Sequence, residues 1–397
     1  MRYSTISRPL RVLHCPDMVG GQMQHLARVE RTLGLESWSV VWQANQFRYL
    51  CDEVICPPGS GRFLKERRRL LMLMRALTRY DVIHFNFGRS LMPDGFSASV
   101  ESHGGWRERM SQRIARWWEL ADLPMLKCAG KTIVVTFQGD DARQGDRLQE
   151  YGEVDLQAEL ESGYYTPASD VHKRWRIEKF ARYADRIYAM NPDLFRVLPE
   201  KTQFLPYCHV DLENWQPRSV PHRERPLVLH APTHRGIKGT RHVLAAVEQL
   251  RREGVPFDFR LVEGLSHAEA MQQFREADLV VDQLILGWYG GLAVECMALG
   301  VPVVAHIRQS DLRFLPPGMN NDIPILLADT RSIASVLREW LTVRRSELPR
   351  IGRQSRSFVE RWHDPVEIGR TIAADYRTLR SGTHSGTHGD SQSRRAS

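Results

Sequence analysis

The chain has 397 residues, 42 % hydrophobic and 26 % charged, which suits a soluble globular protein of two or three domains and excludes collagen, coiled coil and integral membrane protein. Lys plus Arg number 55 against 47 Asp plus Glu, a formal net charge of +8 that favours anionic partners such as phosphates, nucleotides or an acidic membrane surface. Six scattered cysteines without a CxxC pair exclude a disulfide scaffold, and the N-terminus lacks the apolar core of a signal peptide, so the sequence reads as cytoplasmic.

Short apolar runs alternate with longer amphipathic stretches along the chain. Leu10–His14, Trp38–Trp42, Asp81–Phe85, Lys131–Phe137, Arg186–Met190 and Thr202–Pro206 read as strands of a first unit. They are nearly continuous in apolar character, the pattern of parallel strands covered on both faces. The polar, proline-containing stretch Gln216–Pro226 reads as a linker. Strands then resume at Leu227–His230, Phe257–Val262, Leu279–Asp282, Pro302–Ala305 and Ile325–Leu327, with helices predicted over Thr240–Glu253 and His267–Glu276. A last helix is predicted over Pro365–Leu379, followed by a tandem SGTH repeat and a polar tail expected to be disordered. The expected fold class is α/β, with two Rossmann-like doubly wound domains at 1–215 and 227–360, a C-terminal helix at 361–380 and a tail at 381–397.

Four segments lie where open parallel sheets bind ligands, just after strands. Gly20 and Gly21 sit between the first strand and a helix, where they permit either close approach of a ligand or simply a tight turn. Gln138, Asp140 and Asp141 follow the strongest strand; adjacent carboxylates there suit sugar hydroxyls or a proton, or cap the next helix. Arg235 and Lys238, three residues apart, can converge on one anion as a planar fork and a point charge, or form an exposed basic turn. The fourth segment is Gly287–Pro302. Gly290, Gly291 and Leu292 would offer backbone N–H groups to a phosphate, and Glu295, one turn later, would reach a ribose diol. Gly287, Trp288 and Tyr289 precede them as candidate cleft residues, while the helix that follows is core-like on its apolar residues.

These residues resemble the GT-B-fold retaining glycosyltransferases, in particular glycosyltransferase family 4. The GlyGly turn, the strand Asp81–His84, Thr136–Asp141 and Leu205–Asp211 look like its acceptor domain. His230–Pro232, Lys238–Thr240, Ala277–Asp278 and Glu295–Val304 look like its donor domain. The resemblance implies transfer of a sugar from a nucleotide-sugar donor to a saccharide or lipid-linked acceptor with retained configuration, in cell-surface polysaccharide or glycolipid synthesis. It implies that Arg235 and Lys238 neutralise the donor diphosphate, that Glu295 holds the ribose, and that no metal or other cofactor is essential.

Two departures stand out. The first of the family's paired glutamates, which touches the donor sugar, falls on Gly287, and the histidine of the acceptor-domain loop is Gln138. Both keep open an alternative, a non-catalytic nucleotide-binding or partner subunit; a nucleotide-sugar epimerase on the same fold is another. Two basic, apolar helices are predicted over Arg62–Leu77 and Trp106–Leu126, suited either to packing on the sheet or to lying on an anionic membrane as a peripheral protein. No nucleic-acid module is recognisable, so nucleic acid is not an expected partner.

Overall fold

The structure, a computed structural model, describes residues 8–44, 49–96, 104–151, 159–160, 164–217 and 223–385. In the first half, β1 (Arg11–Cys15), β2 (Glu36–Val41), β3 (Glu53–Val54), β4 (Val82–Asn86), β5 (Thr132–Phe137), β6 (Arg186–Ala189) and β7 (Gln203–Phe204) form one sheet. Its order is β3-β2-β1-β4-β5-β6-β7, and every pairing is parallel. In the second half, β8 (Leu227–His230), β9 (Asp258–Leu261), β10 (Leu279–Val281), β11 (Val303–Ala305) and β12 (Leu326–Leu327) form a parallel sheet of order β12-β11-β10-β8-β9.

The strands form where apolar side chains must be hidden on both faces. All six residues of β5 are buried, and β4 pairs with it over Val82↔Thr132 to Asn86↔Thr136. Each sheet reverses direction once. In the first the chain leaves β1 on one side and returns with β4 on the other; in the second it does so with β9 and β10 around β8. Those two reversals open a crevice at the strands' carboxyl ends.

One face of the first sheet is covered by the helices Arg62–Arg79, Asp122–Cys128 and Pro167–Tyr183, through Met72, Leu73, Leu123, Leu126, Ile177 and Phe180. The other carries the helix Gln22–Thr32 and the chain's last helix, Pro365–Ser385, whose Ile368, Ile372, Ala373 and Tyr376 pack with Val12, Leu26 and Val134. Beneath that helix lies a buried polar network. His84 joins the Tyr376 hydroxyl and Thr136 Oγ1, each at 2.7 Å, and Glu30 takes His14 at 2.8 Å and the Ser37 hydroxyl at 2.6 Å.

Two expectations are corrected. The helix predicted over Trp106–Leu126 is two helices, Trp106–Trp118 and Asp122–Cys128. The chain turns at Leu120, left-handed at φ 59°, so that Leu120 itself reaches the core and Glu119 accepts the Gly95 N–H at 3.0 Å. The last helix does not stop at Leu379 but continues to Ser385, into the SGTH repeat, with Arg380 tied to the Gly130 carbonyl at 2.6 Å. The remainder of the predicted tail, and positions 218–222 of the predicted linker, lie outside the described residues. The two-residue β3 has no sequence signal; it exists because Glu53 and Val54 pair with Val40 and Val41.

Candidate functional site

The crevice of the second sheet is built by the segments that follow β8 and β10. After β8, a short helix Arg235–Lys238 is opened by His234, whose ring accepts the Ile237 N–H, and closed by Gly239 at φ 71°. This turns Lys238 inward. Its ammonium lies 2.5 Å from Asp282, which follows β10 directly and is fully buried. The other Asp282 oxygen accepts the Gly290 N–H at 2.6 Å. One carboxylate thus fixes both the cation and the turn that starts the helix Gly291–Ala298.

The two glycines of that turn stand where a larger residue would be crowded. A Cβ at Gly290 would lie 3.0 Å from the Lys238 ammonium, and one at Gly291 would lie 3.2 Å from His209 Nε2. The N–H groups of Gly291 and Leu292 stand ahead of the helical hydrogen-bond ladder and face an anion as a helix start does.

Glu295, one turn further, is buried and held by two imidazoles, His267 at 2.7 Å and His209 at 3.4 Å. Burial pushes its carboxyl up, but the hydrogen bonds from His209 and His267 outweigh that and hold the pKa at about 2. Reciprocally, burial lowers the His267 pKa and the Glu295 hydrogen bond more than restores it, leaving it raised. The Gln22 amide donates to His209 Nδ1 at 2.5 Å and its carbonyl accepts the Cys208 N–H at 2.9 Å, which leaves His209 Nε2 toward Glu295. Gln22 opens the helix that Gly20 and Gly21 introduce, both glycines left-handed at φ 59° and 71°. The Tyr49 ring lies against Gly21 and 5.0 Å from the His267 ring. The GlyGly turn after β1 and the helix start after β10 therefore close on one site.

A second constellation follows β5. Asp141 is buried and accepts the N–H groups of Gln138 at 3.1 Å and Gly139 at 2.6 Å. Burial raises its carboxyl pKa to about 6 despite those bonds. Asp140 is half-buried and accepts the hydroxyls of Tyr164 and Tyr165, each at 2.5 Å. Burial opposes its ionisation, yet Arg143 and the two phenols keep its pKa lowered. Arg143 is itself forked onto Asp193. The Gln138 amide approaches Asn86 at 3.4 Å. The Tyr164 ring contacts His234 across the crevice, 4.7 Å between centroids, so this constellation reaches the loop after β8.

The structure separates other residues that the sequence grouped. Arg235 does not converge with Lys238: it is largely exposed and forked onto Glu263, at 2.5 and 2.8 Å. Trp288 and Tyr289 are core rather than cleft, which corrects that expectation. They are 1 % and 0 % exposed and stack at 4.1 Å, and the Tyr289 hydroxyl meets His363 at 2.9 Å. Beside Gly287 the space is taken by Arg308, whose Cβ lies 2.4 Å from where a Cβ at Gly287 would stand. Asp282, His209, His267 and Tyr164 were missed. Asp282 follows a strand like any terminating aspartate, and isolated histidines and tyrosines form no spacing pattern.

A scan of family models finds none that matches the chain, and a search of curated proteins finds no relative. Solved structures do match. Sucrose-phosphate synthase from Thermosynechococcus elongatus superposes with a TM-score of 0.60 at 14 % identity, over 94 % of this chain and 100 % of that one. HepE from Anabaena, crystallised with UDP-glucose, gives 0.58 at 13 %, over 93 % and 100 %. An α-glucosyltransferase in complex with UDP and DNA gives 0.55 at 10 %, over 93 % and 99 %. At these identities the likeness concerns the fold. The chain has the α/β GT-B fold of glycosyltransferases, with two parallel sheets.

Proposed function

We propose that this chain transfers a sugar from a nucleotide-sugar donor to a saccharide or lipid-linked acceptor, with retention of configuration, in cell-surface polysaccharide or glycolipid synthesis. The observation that carries the reading is the adjacency of Lys238, the Gly290–Gly291 turn and Glu295 at the reversal of the second sheet. In this reading the Lys238 ammonium and the N–H groups of Gly291 and Leu292 take the donor diphosphate. Glu295 is ionised at neutral pH, held so by two imidazoles, and accepts hydrogen bonds from the ribose hydroxyls. Arg235 adds its charge only by leaving Glu263. Departure of the diphosphate builds negative charge that fixed cations and N–H dipoles stabilise, so the proposal includes no metal or other cofactor. On the acceptor side Gln138 offers an amide donor and acceptor to sugar hydroxyls, and Asp140 holds Tyr164, whose ring meets His234 of the loop after β8. Asp141 positions the loop after β5 through the Gln138 and Gly139 N–H groups. The complexes of HepE with UDP-glucose and of the α-glucosyltransferase with UDP make uridine diphosphate sugars the first donors to try.

One observation favours a second reading, a nucleotide-binding subunit without transfer: Arg308 fills the space beside Gly287, where the resemblance places a glutamate on the donor sugar. A thermal-shift panel of UDP, GDP, ADP and their sugars tests both. A ligand at 100 times its dissociation constant stabilises by about 2.7 kcal/mol. We expect one nucleotide to stabilise the chain and Glu295→Ala to weaken the effect. Turnover of the bound donor then selects transfer, and binding without turnover selects the subunit. No shift with any nucleotide sinks both.

A further inference from the structure

Two helices of the first unit present apolar faces to solvent. Trp106, Met110, Ile114, Trp117 and Trp118 recur every three or four residues on the helix Trp106–Trp118, within an arc of about 120° at 100° per residue. Trp117 is 89 % exposed, and no residue of this helix is buried. The half-buried Gln112 and Ala115 lie on the other side of the helix, so the apolar stripe points away from the protein. On the helix Arg62–Arg79 the buried side is Met72, Leu73 and Ala76, and the outward side carries Phe63, Leu70, Leu71 and Met74, with Phe63 86 % exposed. The helix Asp122–Cys128 packs against Arg62–Arg79 on the same face of the sheet and adds the exposed Met125.

Clusters of exposed large apolar side chains such as these mark an interaction site. Its charge identifies the partner. The helix Trp106–Trp118 carries Arg107, Arg109, Arg113 and Arg116 against one acid, Glu108. The helix Arg62–Arg79 carries six arginines and Lys65 against Glu66 alone. A second copy of this surface would bring like charges together. An anionic bilayer satisfies both features, with arginines at the headgroups and tryptophans and aliphatics at the acyl boundary. No described helix is long and apolar enough to cross a membrane, so the contact lies in the interface plane.

We infer that these helices seat the protein on anionic lipid, with Trp106 and Trp117 as anchors. The inference does not rest on the donor-site reading. The test is co-sedimentation with vesicles of phosphatidylcholine alone and of equimolar phosphatidylcholine and phosphatidylglycerol, at low and high salt. Binding to the anionic vesicles is expected to exceed that to neutral ones by about tenfold and to fall with salt. Trp106→Ser with Trp117→Ser is expected to lower binding by about tenfold while leaving the thermal transition unchanged, since both side chains are exposed. Equal binding to both vesicles, or undiminished binding by the double variant, overturns the inference. So does a dimer in gel filtration that the double variant converts to monomer. Nucleotide stabilisation measured on the same variant reports separately on the donor site.

Discussion

Lys238→Met is the sharpest perturbation available in the crevice. It removes the cation from Asp282, a carboxylate with no solvent exposure, and leaves only the Gly290 N–H to oppose its charge. Breaking a buried ion pair by removing one partner costs about 3–5 kcal/mol, because the remaining charge is dry and uncompensated. Asp282→Asn strands the Lys238 ammonium and is expected to cost a similar amount. The double variant Lys238→Met/Asp282→Asn removes both charges and keeps an oxygen for the Gly290 N–H. It is expected to cost about 1–2 kcal/mol, the order of one weakened hydrogen bond. Urea unfolding of the four proteins gives the coupling energy directly. Additive single-variant losses would show that the two charges do not stabilise each other, and the account of how the turn is held would be wrong.

Four further outcomes are expected. In Glu295→Gln the His267 imidazole, raised in the native chain, titrates at a lower pH, read by NMR; an unchanged His267 refutes the pairing. Because the Glu295 pKa drops from 4.5 to about 2 on folding, its contribution to stability is complete above pH 4.5 and is lost as pH falls toward 2. The His267 contribution runs the other way, present below pH 6.5 and lost as pH rises through its raised value. Gly287→Ala drives a methyl into the Arg308 Cβ and is expected to cost about 1–3 kcal/mol, relieved by Arg308→Gly in the same chain; a neutral Gly287→Ala in thermal unfolding contradicts the contact. Tyr376→Phe strips His84 Nδ1 of its partner and is expected to cost about 1–2 kcal/mol, measured by urea unfolding, with no change in nucleotide affinity.

Much of this is legible in the sequence. The strands around β5 announce themselves because burial on both faces demands unbroken apolar runs, whereas Glu53–Val54 is a strand only by virtue of its neighbour. The Gly290–Gly291 turn and Glu295 were readable because a strand, a glycine pair and a helix fall in one local order. What escaped depended on partners distant in the chain. Arg235 and Lys238 share a local spacing, but Glu263 draws one outward and Asp282 draws the other in. Trp288 and Tyr289 stand among glycines like cleft residues, yet Phe204 and His363 enclose them. The His209–Glu295–His267 cluster joins three separate segments and has no local signature.

The return of the helix Pro365–Ser385 to the first sheet bears on how the chain is made. Val12, Leu26 and Val134 emerge early from the ribosome, but Ile368, Ile372 and Tyr376, which cover them, are among the last described residues to appear. Through the synthesis of the whole second sheet, this face of the first has the helix Gln22–Thr32 but lacks the cover of Pro365–Ser385, and His84 Nδ1 lacks the Tyr376 hydroxyl. Apolar surface left exposed in this way is prone to aggregate until the helix Pro365–Ser385 covers it. A stop codon ahead of Pro365 would spare every residue of the crevice and still leave its first half unfinished.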